Sequence, residues 1–83
     1  MRISARSDYA VRAVIEIAAA APKLVKADQI AEAQHIPIKF LEQILLAIKN
    51  GGILRSKRGV GGGYQLARPT SHLSLADVVE IID

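Results

Sequence analysis

Three features of the sequence predict a mainly α-helical domain with one small β-hairpin. Apolar residues recur at helical spacing in several segments. A glycine-rich run separates two short strand-like segments, and helix start and stop residues punctuate the chain between these elements.

The first helix is predicted from about Ala5 to Ala21, because Tyr9, Ala10, Ala13, Val14, Ile17 and Ala21 share a face while Asp8, Arg12 and Glu16 share another. Pro22 ends it, since proline disfavours the helical conformation in the residue before it. Leu24-Val25 reads as a short extended piece. A second helix, about Ala27 to Gln34, carries Ile30, Ala31 and Ala33 as its apolar set, with Asp28 in the first turn where a carboxylate favours the helix dipole. His35 then falls where a tight helix-to-helix turn needs a left-handed residue.

A third helix is expected from about Ile38 to Asn50. Leu41, Ile44, Leu45 and Ile48 form the i, i+3, i+4, i+7 stripe of a core-facing helix, and Lys39, Glu42, Gln43 and Lys49 lie on the other side. Asn50-Gly51-Gly52 supplies a helix stop. Ile53–Lys57 and Tyr64–Arg68 read as strands, and Arg58-Gly59-Val60-Gly61-Gly62-Gly63 between them reads as a hairpin tip, or wing. Pro69 closes the second strand. Ser74-Leu75-Ala76-Asp77 is a capping-box pattern, so a fourth helix starts near Leu75. Helix, helix, turn, helix, wing and helix in this order is the winged helix-turn-helix arrangement, whose second paired helix enters the major groove of DNA.

Composition limits what such a domain does. Eighty-three residues suit a single domain. Hydrophobic residues make up 51% of the chain and aromatics only 4%, so the core must be aliphatic. Cysteine is absent, which removes disulfides and thiolate metal sites from these residues and is compatible with a reducing cytosol. No apolar run approaches the roughly 20 residues that span a bilayer, and the N-terminus does not read as a secretory signal. The expectation is a soluble, cytoplasmic protein without membrane contact. The chain stops at Asp83 within an apolar helix, which reads as a fragment of a longer protein.

The net charge of +3 is unevenly distributed: residues 39–68 carry +5, residues 1–38 carry +1, and residues 69–83 carry −3. A basic middle suggests one face meant for a polyanion. An enzyme is not expected, because no nucleophile–base pair, carboxylate pair or metal cluster stands out. His35 and His72 are too few and too isolated to hold a metal. The glycine run is not a nucleotide-binding loop either, since it lies between strands, misses the required glycine spacing and lacks a following Gly-Lys-Ser/Thr.

Several motifs together resemble the Rrf-two family of bacterial winged helix-turn-helix repressors. They are Arg2-Ile3-Ser4 with Asp8-Tyr9-Ala10-Val11-Arg12-Ala13, then Phe40-Leu41-Glu42-Gln43-Ile44-Leu45, and Gly52-Ile53-Leu54-Arg55-Ser56. Arg58-Gly59-Val60-Gly61-Gly62-Gly63-Tyr64 and Leu75-Ala76-Asp77-Val78-Val79 complete the set, which covers essentially the whole chain. The resemblance implies a homodimer on a palindromic double-stranded operator. It also implies a long dimerisation helix beyond this domain and, in some members, three cysteines that hold an iron–sulfur cluster. These 83 residues end before both, so no cofactor is expected within them, and a cluster is expected only if cysteines follow Asp83. His35 departs from the family, which usually has glycine there.

The candidate DNA-binding residues are Ser4, Arg6, Lys39, Glu42, Gln43, Arg55, Lys57, Arg58, Gly59 and Gly61. Gln43 suits adenine and Glu42 suits a cytosine amino group, and the resemblance places both at the operator. Arg58 suits a narrow minor groove, and the glycines beside it allow backbone close to phosphates. Arg55 and Lys57 are expected at phosphates, as are Ser4 and Arg6 at the start of the first helix. Phe40 and Tyr64 are expected to anchor the core. Asp8 is a helix-start carboxylate, and in some relatives an acidic residue near this position ligates the partner's cluster. The competing reading is a winged helix that docks another protein through its wing.

Overall fold

The computed structural model describes residues 4–83, so the Arg2-Ile3 part of the first motif lies outside the described residues. The elements follow in the order α1 (Ala5–Ala20), α2 (Ala27–Gln34), α3 (Ile38–Asn50), β1 (Leu54–Lys57), β2 (Gly63–Leu66), a 3-10 turn at Thr70–His72 and α4 (Leu75–Ile82).

Local chemistry accounts for the boundaries. The Ser4 hydroxyl caps α1 by accepting from the Ser7 N–H at 3.0 Å. Ala21 leaves the helix at ψ 140°, as a residue before proline must, so α1 stops one residue earlier than the apolar pattern suggested. The backbone N–H of Lys26 donates to the Gln29 side chain at 3.0 Å, which steadies the start of α2. His35 ends α2 in the left-handed region at φ 54°, as its position predicts. The capping box of α4 forms in both directions between Ser74 and Asp77.

α1 is the central element and packs against α2, α3, α4 and β2. Ala10, Ala13, Val14 and Ile17 from α1 meet Ile30 of α2, Leu41, Ile44, Leu45 and Ile48 of α3, Ile53, Leu54 and Val78 in one aliphatic core. Burying a large aliphatic side chain contributes about 1.5–3 kcal/mol. The apolar sets differ from expectation at their edges: Ala21 and Ala33 are exposed, and Phe40 is 39% exposed rather than a core anchor.

β1 and β2 pair antiparallel with Leu54 opposite Leu66 and Lys57 opposite Gly63. The strands are shorter than the strand-like segments, because Ile53 turns into the core and Ala67 contributes only one further bond to it, at 2.8 Å. Val25 adds a third, one-residue rung through two bonds with Tyr64, of 3.0 and 2.7 Å. Gly63 sits at φ 144° beneath it, where a Cβ would come within 2.7 Å of the Val25 backbone. The root of the wing is therefore tied to the segment entering α2.

Candidate nucleic-acid interface

α3 has two chemically opposite sides. Leu41, Ile44, Leu45 and Ile48 are buried, while Lys39, Glu42, Gln43, Leu46, Lys49 and Asn50 are exposed. The core thus fixes the helix rotation and turns Lys39, Glu42 and Gln43 outward.

A brace fixes the start of α3 against the rest of the pair. Phe40 meets Tyr9 edge to face, with ring centroids 5.6 Å apart and planes at 82°. The Arg12 guanidinium lies 5.3 Å from the Tyr9 ring centroid and bonds Asp8 at 3.1 Å. Arg12 also donates to the Gln34 side chain at 3.2 Å and to the Gln34 carbonyl, and Gln34 donates to Glu16 at 2.7 Å. These contacts join α1 to the end of α2, immediately before the turn, and to the first turn of α3. Helical spacing puts Asp8, Arg12 and Glu16 on a shared face, but it does not mark Gln34 as the common partner of Arg12 and Glu16, because those contacts span 22 and 18 residues.

The wing is built differently. Arg55, Lys57, Arg58, Gly59, Val60 and Gly61 are all exposed. Gly59 and Gly61 adopt φ of 93° and 78°, so the tip needs residues without a Cβ although the space around them is open. Arg55 donates across the hairpin to the Ala67 carbonyl at 3.0 Å, leaving its other donors for a ligand. Arg12–Asp8 is the only ion pair among the described residues, so Lys39, Lys57 and Arg58 carry uncompensated charge.

Ser4 and Arg6 are exposed at the start of α1. The Ser4 hydroxyl donates to Asp83 at 3.2 Å, and the fully buried Ser7 donates to the same carboxylate at 2.7 Å. The end of α4 is thereby clamped to the start of α1. Sequence reasoning missed this contact, because nothing local marks a partner 76 residues away. Arg6 remains the freer of the two candidates there.

The described residues contain no cluster of three His, Cys, Asp or Glu side chains able to hold a metal, and no helix long and apolar enough to cross a membrane. Iron–sulfur clusters need thiolates, the chain has no cysteine, and Asp8 is bound by Arg12, so these residues do not fit such a group.

The sequence model of the Rrf2 family, described as "Iron-dependent Transcriptional regulator", matches residues 3–83. The chain belongs to the Rrf2 family. An HTH-type transcriptional regulator, so named, of Mycobacterium tuberculosis is 49% identical over 84 residues, covering 100% of this chain and 52% of that protein. The HTH-type transcriptional regulator IscR of Cereibacter sphaeroides is 30% identical over 86 residues, covering 100% of this chain and 56% of its own length. The chain spans about half the length of these relatives. Among solved structures, T. potens IscR superposes with a TM-score of 0.93 at 28% identity, covering 100% of this chain and 61% of that one. Oxidised Staphylococcus aureus CymR gives 0.91 at 31% identity, with 100% and 68% covered. The Rrf2 fold, a winged helix-turn-helix of four helices and a two-stranded hairpin, is thus the fold of this chain. The family consists of transcriptional regulators, not enzymes.

Proposed function

We propose that these residues are the sequence-specific DNA-binding domain of a homodimeric transcriptional repressor that occupies a palindromic operator. α3, over residues 38–50, lies in the major groove, and the wing, residues 57–64, meets the adjacent minor groove or backbone. Glu42 and Gln43 read base edges there: Gln43 pairs with adenine and Glu42 accepts from a cytosine amino group. Lys39, Arg55 and Lys57 neutralise phosphates, and Arg58 enters a narrow minor groove. Gly59 and Gly61 let the wing backbone approach the duplex, and Arg6 with Ser4 touches phosphate at the start of α1.

The observation that carries this reading is the two-sided chemistry of α3. Its apolar stripe is buried, while Lys39, Glu42 and Gln43 face solvent with no ion pair to hold them. The regulator works in the cytoplasm, with dimerisation and sensing supplied by residues beyond this single domain. An iron–sulfur cluster would need thiolates that these residues lack, and Asp8 is already engaged by Arg12.

Fluorescence anisotropy with promoter duplexes at a series of salt concentrations tests the reading. Affinity should fall steeply, with a log–log slope of about −0.9 per neutralised phosphate. A flat salt response with no retention of promoter fragments would instead identify the wing as a protein-docking edge.

A further inference from the structure

The outward side of α3 is not wholly polar. Leu46 is 55% exposed, the highest value for a large apolar side chain on any helix of the described residues. At about 100° per residue, Leu46 projects between Glu42 and Gln43 on the helix circumference, nearly opposite the buried Leu41, Ile44, Leu45 and Ile48 stripe. It lies about 4.5 Å farther along the axis than Gln43, nearly one turn toward the helix C-terminus. Lys49 and Asn50 flank it on the next turn, so it is an isolated apolar point in a polar field.

A lone exposed leucine on an ordinary surface needs no explanation. Its position here gives it one. A surface that desolvates Glu42 and Gln43 on both sides must also cover Leu46, and its partner atom must be apolar for that burial to be favourable. The floor of the major groove offers one apolar feature among the four bases, the C5-methyl group of thymine. Glu42 and Gln43 have hydrogen-bonding partners on cytosine and adenine, whereas Leu46 can donate and accept nothing.

We infer that Leu46 is a specificity-determining residue that packs on a thymine methyl group, one step beyond the bases read by Glu42 and Gln43. This inference rests on the DNA-binding reading above. It adds to the two polar contacts an apolar one that selects a T·A pair at one position of each half-site.

The test uses the full-length protein and duplexes enriched by it from a randomised double-stranded pool. Each thymine of the enriched half-site is replaced in turn by deoxyuridine, which removes the methyl group and leaves every hydrogen-bonding atom in place. One replacement should weaken binding about three- to fivefold, the effect of burying one methyl group. Leu46→Ala should show a similar loss on the thymine duplex, no further loss on the deoxyuridine duplex, and relaxed preference at that pair alone. Because Leu46 is exposed and alanine favours helix, the variant should keep its melting temperature, which circular dichroism checks. Equal binding of every deoxyuridine duplex, or a deoxyuridine loss that persists undiminished in Leu46→Ala, overturns the assignment while leaving DNA binding intact. Failure to enrich any duplex overturns the DNA-binding reading, and the leucine assignment falls with it.

Discussion

α3 and the wing are held in different ways. α3 is pinned from beneath by four buried side chains and from its start by the Phe40–Tyr9–Arg12 brace, so its outward residues have fixed positions. The wing stands on two four-residue strands and the single Val25 rung, and its tip is exposed from Lys57 through Gly61. A contact that distinguishes bases needs bonds placed to within a fraction of an ångström, which a braced helix supplies. A contact to groove width and phosphates needs charge and close backbone approach, which a glycine-tipped hairpin supplies. On the proposed reading, the domain divides specificity and grip between a braced helix and a glycine-tipped hairpin.

Substitutions should separate the two parts, beginning with the support of α3. Leu45 is fully buried, so Leu45→Ala should destabilise the fold by about 2–5 kcal/mol, read by chemical denaturation. DNA affinity should fall only in proportion to the unfolded fraction. A Leu45→Ala protein that stays folded yet loses its sequence preference would show that core packing sets readout more directly than described here.

Gln43→Ala comes next. It should remove about 1–3 kcal/mol of discrimination at one base pair, seen as relaxed preference in competition binding, with melting temperature and salt slope nearly unchanged. Arg58→Ala should do the reverse. Binding should weaken generally, most on duplexes with a narrow minor groove, and the salt slope should shrink by about one, with preference at the base pair read by Gln43 intact. If the two variants gave the same profile, the division between reading and gripping would be wrong.

Gly61→Ala is expected to have the smallest effect. Its φ of 78° disfavours any L side chain, at about 1–2 kcal/mol, but the space around it is open. The strain should appear as looser tip order in hydrogen exchange and a few-fold loss of affinity, with the core untouched.

Much of the fold could be read directly from the chain because its signals are local. Pro22 stops α1, His35 takes the left-handed turn, and Ser74 with Asp77 caps α4, each within a few residues of the element it bounds. The two-sided pattern of α3 is likewise local, so the outward placement of Lys39, Glu42 and Gln43 was legible too. What stayed hidden depends on distant pairings. Gln34 as the shared partner of Arg12 and Glu16, Asp83 as the partner of Ser4 and Ser7, and Val25 as a rung on Tyr64 leave no periodic trace. Phe40 misled for a related reason. Its position near the apolar stripe suggests burial, whereas it leans outward onto Tyr9 and stays 39% exposed.

Amide chemical-shift mapping of the ¹⁵N-labelled protein on adding an enriched duplex decides the matter most directly. Simultaneous perturbation of Lys39–Gln43 and Lys57–Gly61, reversed together by high salt, is the expected result, since a helix and a hairpin that grip one duplex must report it jointly. Shifts confined to one of these segments, or centred on α4 with both left silent, would contradict the account.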